Sequence, residues 1–255
     1  MKIKTLHKTS SQFLYAATLL TLTSFSHASL YNFSENSPSG NHNAGALTSI
    51  QTSYDTQTRD FAWNHTVADV TPSQASDGFW LVVSSGPNPK THAGEYAIFY
   101  GDAANNKVTA YEYSGQNNAE SWQNPGNHLG SWQMDVTRNA ADNASTFAFG
   151  LDATALNSSY TGACTEANGE CDNNGTTWTE SLWQGVAFGE QLGYWMHPFV
   201  GSQFSYDAEN NITSFQFEQQ GWYDHGNRTT TAISEPTSLS LLALALGFGL
   251  ALKRR

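Results

Sequence analysis

The seven residues GFWLVVS, from Gly78 to Ser84, carry five apolar side chains in succession and no charge. A continuous apolar run of this length predicts a β-strand that is buried on both faces. Two more strand-like runs follow it, EYAIFYG at residues 95–101 and KVTAYEY at residues 107–113. The residues between them, 102–106 (DAANN), are rich in Asp and Asn, which tolerate the backbone of tight turns. The two runs are therefore predicted to form a hairpin.

Outward from this centre, apolar side chains recur at every second position, which is typical of strands with one buried face. The sets that share a face are Phe61, Trp63, His65 and Val67; Tyr96, Ile98 and Tyr100; Phe147, Phe149 and Leu151; and Thr213, Phe215 and Phe217. A second Asp- and Asn-rich turn, residues 207–211, joins QFSY to ITSFQFEQ and predicts another hairpin.

No long helical pattern interrupts residues 29–233, and about eleven or twelve strands are expected there. We therefore expect an all-β fold, a single antiparallel two-sheet sandwich of the jelly-roll or concanavalin-like type, flanked by terminal hydrophobic helices. An immunoglobulin-like sandwich is the alternative. It is less favoured because a domain of ~200 residues is about twice the usual size of that fold.

Charge is scarce and unevenly placed. Charged residues make up 13% of the chain, about half of the usual ~25%. Between residues 29 and 233, five Lys and Arg residues stand against 21 Asp and Glu residues, a net charge of −16. Such a surface disfavours nucleic acid, because binding to it depends on basic contacts to phosphates. It also disfavours anionic membranes and anionic polysaccharides unless a cation bridges the two partners.

The N-terminus has the three parts of a secretory signal peptide. Three lysines lie within the first eight residues, an apolar run covers residues 13–25, and Ser-His-Ala ends at Ala28. Cleavage is predicted between Ala28 and Ser29, which makes residues 1–28 the signal peptide. An uncleaved anchor is less favoured, because the apolar run is shorter than the ~20 residues that a spanning helix needs.

The C-terminal segment, residues 234–255, combines a Ser-Glu-Pro-Thr sequence, an apolar run at residues 239–252 and a basic end. As a helix the run would extend ~21 Å, less than the ~30 Å hydrocarbon core of a bilayer. Terminal cations favour the cytoplasmic side. We therefore expect a short transmembrane helix that holds the exported chain in the inner membrane, with its basic end formed by Lys253, Arg254 and Arg255.

This tail resembles the PEP-CTERM sorting signal of Gram-negative bacteria. The resemblance rests on Glu235 and Pro236, on the short apolar helix and on the terminal basic cluster; Ser234 stands where the family usually has proline. It implies removal of the tail by an exosortase-type protease and delivery to the cell envelope, outer surface or extracellular matrix. An ordinary C-terminal membrane anchor is the alternative. The phrases DGFWLVVSSGPNPK, GEYAIFYGD and LGYWMHP also resemble segments of uncharacterised proteins with such tails. This second resemblance implies no activity for the chain.

Two polar features lie in a long loop at residues 157–179. Cys164 and Cys171 are the only cysteines of the chain, and in an oxidising exported compartment a disulfide between them is expected. A metal-binding pair is less favoured, because their spacing matches no zinc motif. Nearby, Asp172 and Asn174 supply the oxygen ligands that Ca²⁺ prefers, so calcium is a candidate cofactor. Ordinary turn chemistry is the alternative for these two residues.

Tryptophans beside glutamines suggest carbohydrate contacts, because an indole stacks on a sugar face while an amide binds hydroxyls. The candidates are Trp122, with Asn124 close by, and Trp132, whereas packing in the core is the alternative. No nucleophile elbow or phosphate-binding loop is present in the sequence.

We therefore expect a non-enzymatic exported protein that associates with carbohydrate or with the extracellular matrix. A purely structural surface protein is the second hypothesis. A glycoside-active enzyme, which needs two paired carboxylates, is the third.

Overall fold

The computed structural model describes residues 29–90, 96–113, 126–153 and 189–234, and these residues form an all-β structure in one compact unit. The predicted signal peptide, residues 1–28, lies outside the described residues. So does the predicted C-terminal tail, except for its first residue, Ser234, which ends β14. The strands are β1 (Ser29–Asn36), β2 (Ala46–Asp55), β3 (Asp60–Ala68), β4 (Gly78–Ser84), β5 (Tyr96–Asp102), β6 (Lys107–Tyr113), β7 (His128–Asn139), β8 (Ala144–Asp152), β9 (Gln191–Val200), β10 (Gln203–Tyr206), β11 (Ile212–Gln216), β12 (Gln219–Gln220), β13 (Tyr223–Thr229) and β14 (Thr231–Ser234).

Twelve of these strands form one antiparallel sheet in the order β12-β9-β4-β5-β6-β7-β8-β3-β2-β1-β14, with β13 also paired to β9. The remaining two, β10 and β11, form a separate hairpin. The predicted hairpins β5-β6 and β10-β11 are both confirmed. The described strands outnumber the eleven or twelve expected, because β12 and β14 contain only two and four residues, too few to show an alternating pattern.

Two stretches of chain change partners partway and so divide the curled sheet into two halves. The first part of β7 pairs with β6, and from Met134 onward β7 pairs with β8. Likewise β13 pairs with β9, and after Thr230 the chain continues as β14 and pairs with β1. We call β14, β1, β2, β3, β8 and the second part of β7 the front half, and the other strands of the sheet the back half. Since β13 and β14 are continuous in the chain, the two ends of the sheet are brought together and the sheet curls.

Side chains from both halves meet in one inner core. Trp63 and Phe147 of the front half lie there with Phe79, Phe99 and Tyr194 of the back half, all at most 1% exposed. The rings of Phe79 and Phe147 are 5.6 Å apart. Burying each aromatic side chain contributes about 1.5–3 kcal/mol, so this core dominates the stability of the sheet. The predicted shared faces of β3 and β8 are confirmed.

The back half also buries its outer face. All seven residues of β4 are buried, as the sequence predicted, because alternate side chains such as Trp80 and Val82 enter a second cluster with Ile98, Tyr100 and Trp195. The β10-β11 hairpin covers part of this outer cluster with apolar side chains.

The face predicted for β11 needs one correction. Phe215 and Phe217 pack against the outer cluster as expected, but Thr213 is exposed, and Ile212 packs there instead. The physical reason is a register shift opposite Ser205 and Tyr206, which breaks the strict alternation of the two faces.

Candidate functional site

The outer face of the front half carries a groove of about 750 Å³, which we call the front groove. Strand register builds it from two parallel rows of residues that cross the sheet. One row runs through Thr231, Asn32, Ser53, Ala62 and Gly150, with Gln133 beyond its end. The other row runs through Ser34, Gln51, Asn64, Ala148 and Asp135. Residues from six strands that are distant in the sequence thus line one depression.

Over β3 and β8 the outward residues that line the groove are mostly small. Ala62 lies opposite Gly150. Ala148 is two residues before Gly150 on β8, so its side chain is on the same face. A Cβ atom added to Gly150 would meet its nearest neighbour, the Phe61 carbonyl oxygen, only at 3.6 Å, so the space above it is open. Beneath this floor lies the packed aromatic core, and we therefore expect the floor to keep its shape when a ligand binds.

The polar side chains around the floor have few partners among the described residues. Among the described residues, none forms a hydrogen bond or ion pair with the side chains of Asn32, Gln51, Asn64 or Asp135. The side chain of Gln133 makes only a 3.4 Å contact with the Met134 carbonyl oxygen. Each amide offers both donors and acceptors. The groove therefore presents an array of unsatisfied polar groups to a bound molecule.

The two ends of the groove coincide with the two places where the chain changes halves. Gln133 is the last residue of β7 before its pairing with β8 begins, so Gly150 at the end of the row has no ladder partner on that side among the described strands. Thr231 is the first residue of β14 and pairs with Asn32. The groove thus runs from one of these corners to the other, across the width of the front half.

A network of charged and polar side chains stabilises the corner between β13 and β1. Glu35 accepts a hydrogen bond from the Tyr194 hydroxyl at 2.9 Å and pairs with Arg228 at 2.9 Å. Arg228 also donates to His225 Nδ1 at 2.7 Å. Burial, with the neighbouring Glu35 carboxylate as a second cause, raises the pKa of Tyr194 well above its ordinary value. These side chains bond to one another, although Arg228 Nε has no partner among the described residues, and we assign them to closing the sheet rather than to ligand binding.

Two histidines are held neutral in aromatic surroundings. His65 Nδ1 accepts a hydrogen bond from Trp63 Nε1 at 3.1 Å, and burial lowers the pKa of His65 to about 3. His197 stacks on Trp80 with ring centroids 4.1 Å apart, and burial lowers its pKa to about 4. In the part of the chain that the structure describes, no group of three or more His, Cys, Asp or Glu side chains could hold a metal ion.

The structure places one of the predicted sugar-contacting residues. Trp132 is half-buried and packs against the inner core, whereas its neighbour Gln133 lines the front groove. Ser29, on the mature side of the predicted cleavage site, is the first residue of β1. The other predicted site residues lie outside the described residues: Ala28, Trp122, Asn124, Cys164, Cys171, Asp172, Asn174, Glu235, Pro236, Lys253, Arg254 and Arg255.

Sequence reasoning missed the front groove and one exposed tryptophan. Alternation in β2 and β3 implies that Gln51 and Asn64 face away from the buried residues, but it does not show that these strands are neighbours. Trp222 is 41% exposed, and the Lys90 amine lies 4.8 Å from the centre of its ring. No repeated pattern in the sequence distinguishes Trp222 from the tryptophans that are buried.

A scan against protein-family models, a search of curated proteins and a search of solved structures each found no match for this chain. Within the described ranges, none of the secondary structure is a helix with the length and hydropathy needed to cross a bilayer. The inference of function therefore rests on the geometry of the front groove.

Proposed function

We propose that the protein is an exported carbohydrate-binding module whose front groove holds an extended polysaccharide of the cell envelope or matrix. The observation that carries this proposal is the double row of hydroxyl and amide side chains, almost without partners among the described residues, above a floor of alanine and glycine. Sugar hydroxyls both donate and accept hydrogen bonds, as amides do. Strands lie about 4.8 Å apart, so six strands span about 24 Å, enough for several sugar units in a row.

In this proposal the amides of the front groove take the main role in sugar contact. Contact between sugar and Trp122 or Asn124 remains a prediction. Trp132 packs against the inner core and is not among the described lining residues of the groove. Calcium at Asp172 and Asn174 also remains a prediction.

The proposal includes the route and the architecture. A signal peptide exports the chain, the tail holds it in the inner membrane, and an exosortase-type protease releases it to the outer surface or the matrix. The front and back halves are the two layers of a jelly-roll-like sandwich, and the inner core that they share supports this assignment.

Catalysis on glycosides finds less support. Of the described residues that line the front groove, Asp135 alone carries a carboxylate, whereas glycosidases generally use two. The purely structural hypothesis differs from the proposed function in one measurable respect, which is whether the groove binds a polysaccharide.

The test is affinity electrophoresis of the protein as purified from the surface fraction of the producing cells, through gels that contain their matrix polysaccharide. Ala148→Trp fills the floor of the groove. Ala144→Trp makes the same change on the same strand face, outside the groove lining. We expect retardation of the wild type and of Ala144→Trp, and about tenfold or greater loss of affinity for Ala148→Trp.

Unretarded wild-type protein, with calcium and with chelator, would reject the carbohydrate-binding role and leave the structural one. Retardation that Ala148→Trp does not change would move the binding site away from the front groove. N-terminal sequencing of the same material should begin at Ser29, and an N-terminus at Met1 would contradict export through a cleaved signal peptide.

A further inference from the structure

The front groove carries a single charged side chain among its described lining residues. This side chain belongs to Asp135. Its cross-strand neighbour is Ala148, and the residues on either side of it along the same face are Gln133 and Thr137, which carry no charge. A carboxylate thus stands in the groove without a counter-ion from the described lining.

The five Lys and Arg residues of the described chain are placed elsewhere, and one of them, Arg59, lies in the turn between β2 and β3. Lys90 pairs with Asp224 at 2.8 Å and Arg228 pairs with Glu35 at 2.9 Å. The Lys107 amine lies 3.6 Å from the centre of the Tyr206 ring. Arg138 is also on β7. It is three residues from Asp135, so the alternation of the strand places it on the opposite face of the sheet from Asp135. None of these side chains belongs to the described lining of the groove.

From this arrangement we infer that the front groove is selective for uncharged polysaccharide and that Asp135 is its specificity-determining residue. The carboxylate accepts hydrogen bonds from sugar hydroxyls, and such charge-assisted bonds are roughly twice as strong as neutral ones. The same carboxylate repels uronate, sulfate and phosphate groups. The net charge of −16 on residues 29–233 disfavours binding of these anionic groups as well. This inference rests on the proposed carbohydrate-binding function and adds the class of ligand.

The experiment uses one polymer in two forms. The neutral fraction of the matrix polysaccharide is divided, and in one portion the primary alcohols are oxidised to carboxylates. Both forms are used in affinity electrophoresis with wild type, with Asp135→Asn and with Glu209→Gln. The control removes the same charge from Glu209, an exposed residue in the β10-β11 turn whose side chain makes no interaction within the described chain.

We expect the wild type to bind the neutral form at least tenfold more tightly than the oxidised form, with little dependence on salt. Asp135→Asn should weaken binding of the neutral form about threefold and strengthen binding of the oxidised form about threefold or more, because one repulsive pair is removed. The ratio of the two affinities should therefore fall about tenfold, and Glu209→Gln should leave it nearly unchanged.

An equal ratio for Asp135→Asn and wild type would overturn the assignment of Asp135, and tighter wild-type binding of the oxidised form would overturn the selectivity. Both results leave the carbohydrate-binding function standing, provided that Ala148→Trp abolishes binding. Absence of wild-type binding to either form would instead reject the proposed function itself.

Discussion

His65 is an ionisable side chain enclosed by aromatic rings. The Phe79 and Phe147 rings lie 4.7 and 5.0 Å from it, and the residue is fully buried. Its Nδ1 accepts from the Trp63 indole, which places the remaining proton on Nε2, and that atom has no hydrogen-bond partner in the described structure. A neutral imidazole is tolerated there, whereas an imidazolium would be a buried charge without compensation.

His65 therefore makes stability depend on pH. Its pKa is about 3 in the folded chain and 6.5 ordinarily, so between these values the unfolded chain binds a proton that the folded chain does not. The stabilisation is complete above pH 6.5 and is lost as the pH falls, by about 1.4 kcal/mol per pH unit. Urea unfolding at several pH values should show this slope. His65→Phe should reduce the slope by that amount, while its stability near neutrality falls by ~1–3 kcal/mol because the Trp63 indole loses its acceptor.

His197 provides an independent comparison, because burial lowers its pKa to about 4. His197→Gln should also reduce the slope, and its effect should add to that of His65→Phe. A slope that His65→Phe leaves unchanged would contradict the pKa assigned to His65.

Two glycines in separate strands, Gly101 and Gly150, show how differently the inner core and the groove face are packed. A Cβ atom on Gly101 of β5 would lie 2.0 Å from the Phe79 ring, which neighbouring aromatic side chains of the inner core hold in place. Gly150 of β8 has open groove above it. Both lie within strands and neither has a positive φ, so the same substitution tests packing alone.

We expect Gly101→Ala to destabilise the fold by about 1–3 kcal/mol or more, because the close-packed core must shift to accept the methyl group. Gly150→Ala should change stability by less than about 0.5 kcal/mol. Urea midpoints of the two variants, measured side by side at constant m-value, give the comparison. Similar losses for both variants would contradict the open space assigned to Gly150.

At the scale of elements, the sequence predicted what depends on neighbours along the chain. The buried run of β4, the shared faces of β3 and β8, and the Asp- and Asn-rich turns all follow from local pattern. The front groove does not. Asn64 and Asp135 come together only because β8 inserts between β3 and β7, and any solvent-facing strand shows a similar polar alternation. The order of strands is set by long-range packing that no short window of sequence contains.

The closure of the whole sheet depends on a few long-range contacts. The Tyr223 hydroxyl on β13 accepts a hydrogen bond from the Leu47 amide at 2.8 Å and lies 2.7 Å from His42 Nδ1. Tyr223 itself is fully buried and belongs to the inner core. Tyr223 thereby connects β13 to the start of β2, across the corner where the sheet closes.

Tyr223→Phe should lower the free energy of unfolding by about 1–3 kcal/mol, because the buried Leu47 amide is left unsatisfied. Tyr206→Phe is the matched control. Its hydroxyl donates to Asp102, whose carboxylate also accepts from the Ala104 and Asn105 amides. We expect a smaller loss there, about 0.5–1 kcal/mol. A control that is the more destabilised of the two, in thermal or urea unfolding, would contradict the role given to Tyr223.

The pairing of β1 with β14 has a mechanical consequence. Ser29 and Ser234 are partners at the open end of this ladder, so the first and last described residues lie side by side. Tension applied between them would separate the two strands from that end and break one residue pair after another. This geometry differs from shear, in which two strands are pulled along their length in opposite directions and all the hydrogen bonds between them carry the load together. The folded unit should therefore yield to small forces between its two ends, and it would carry larger loads only when pulled by one end against a ligand held in the groove.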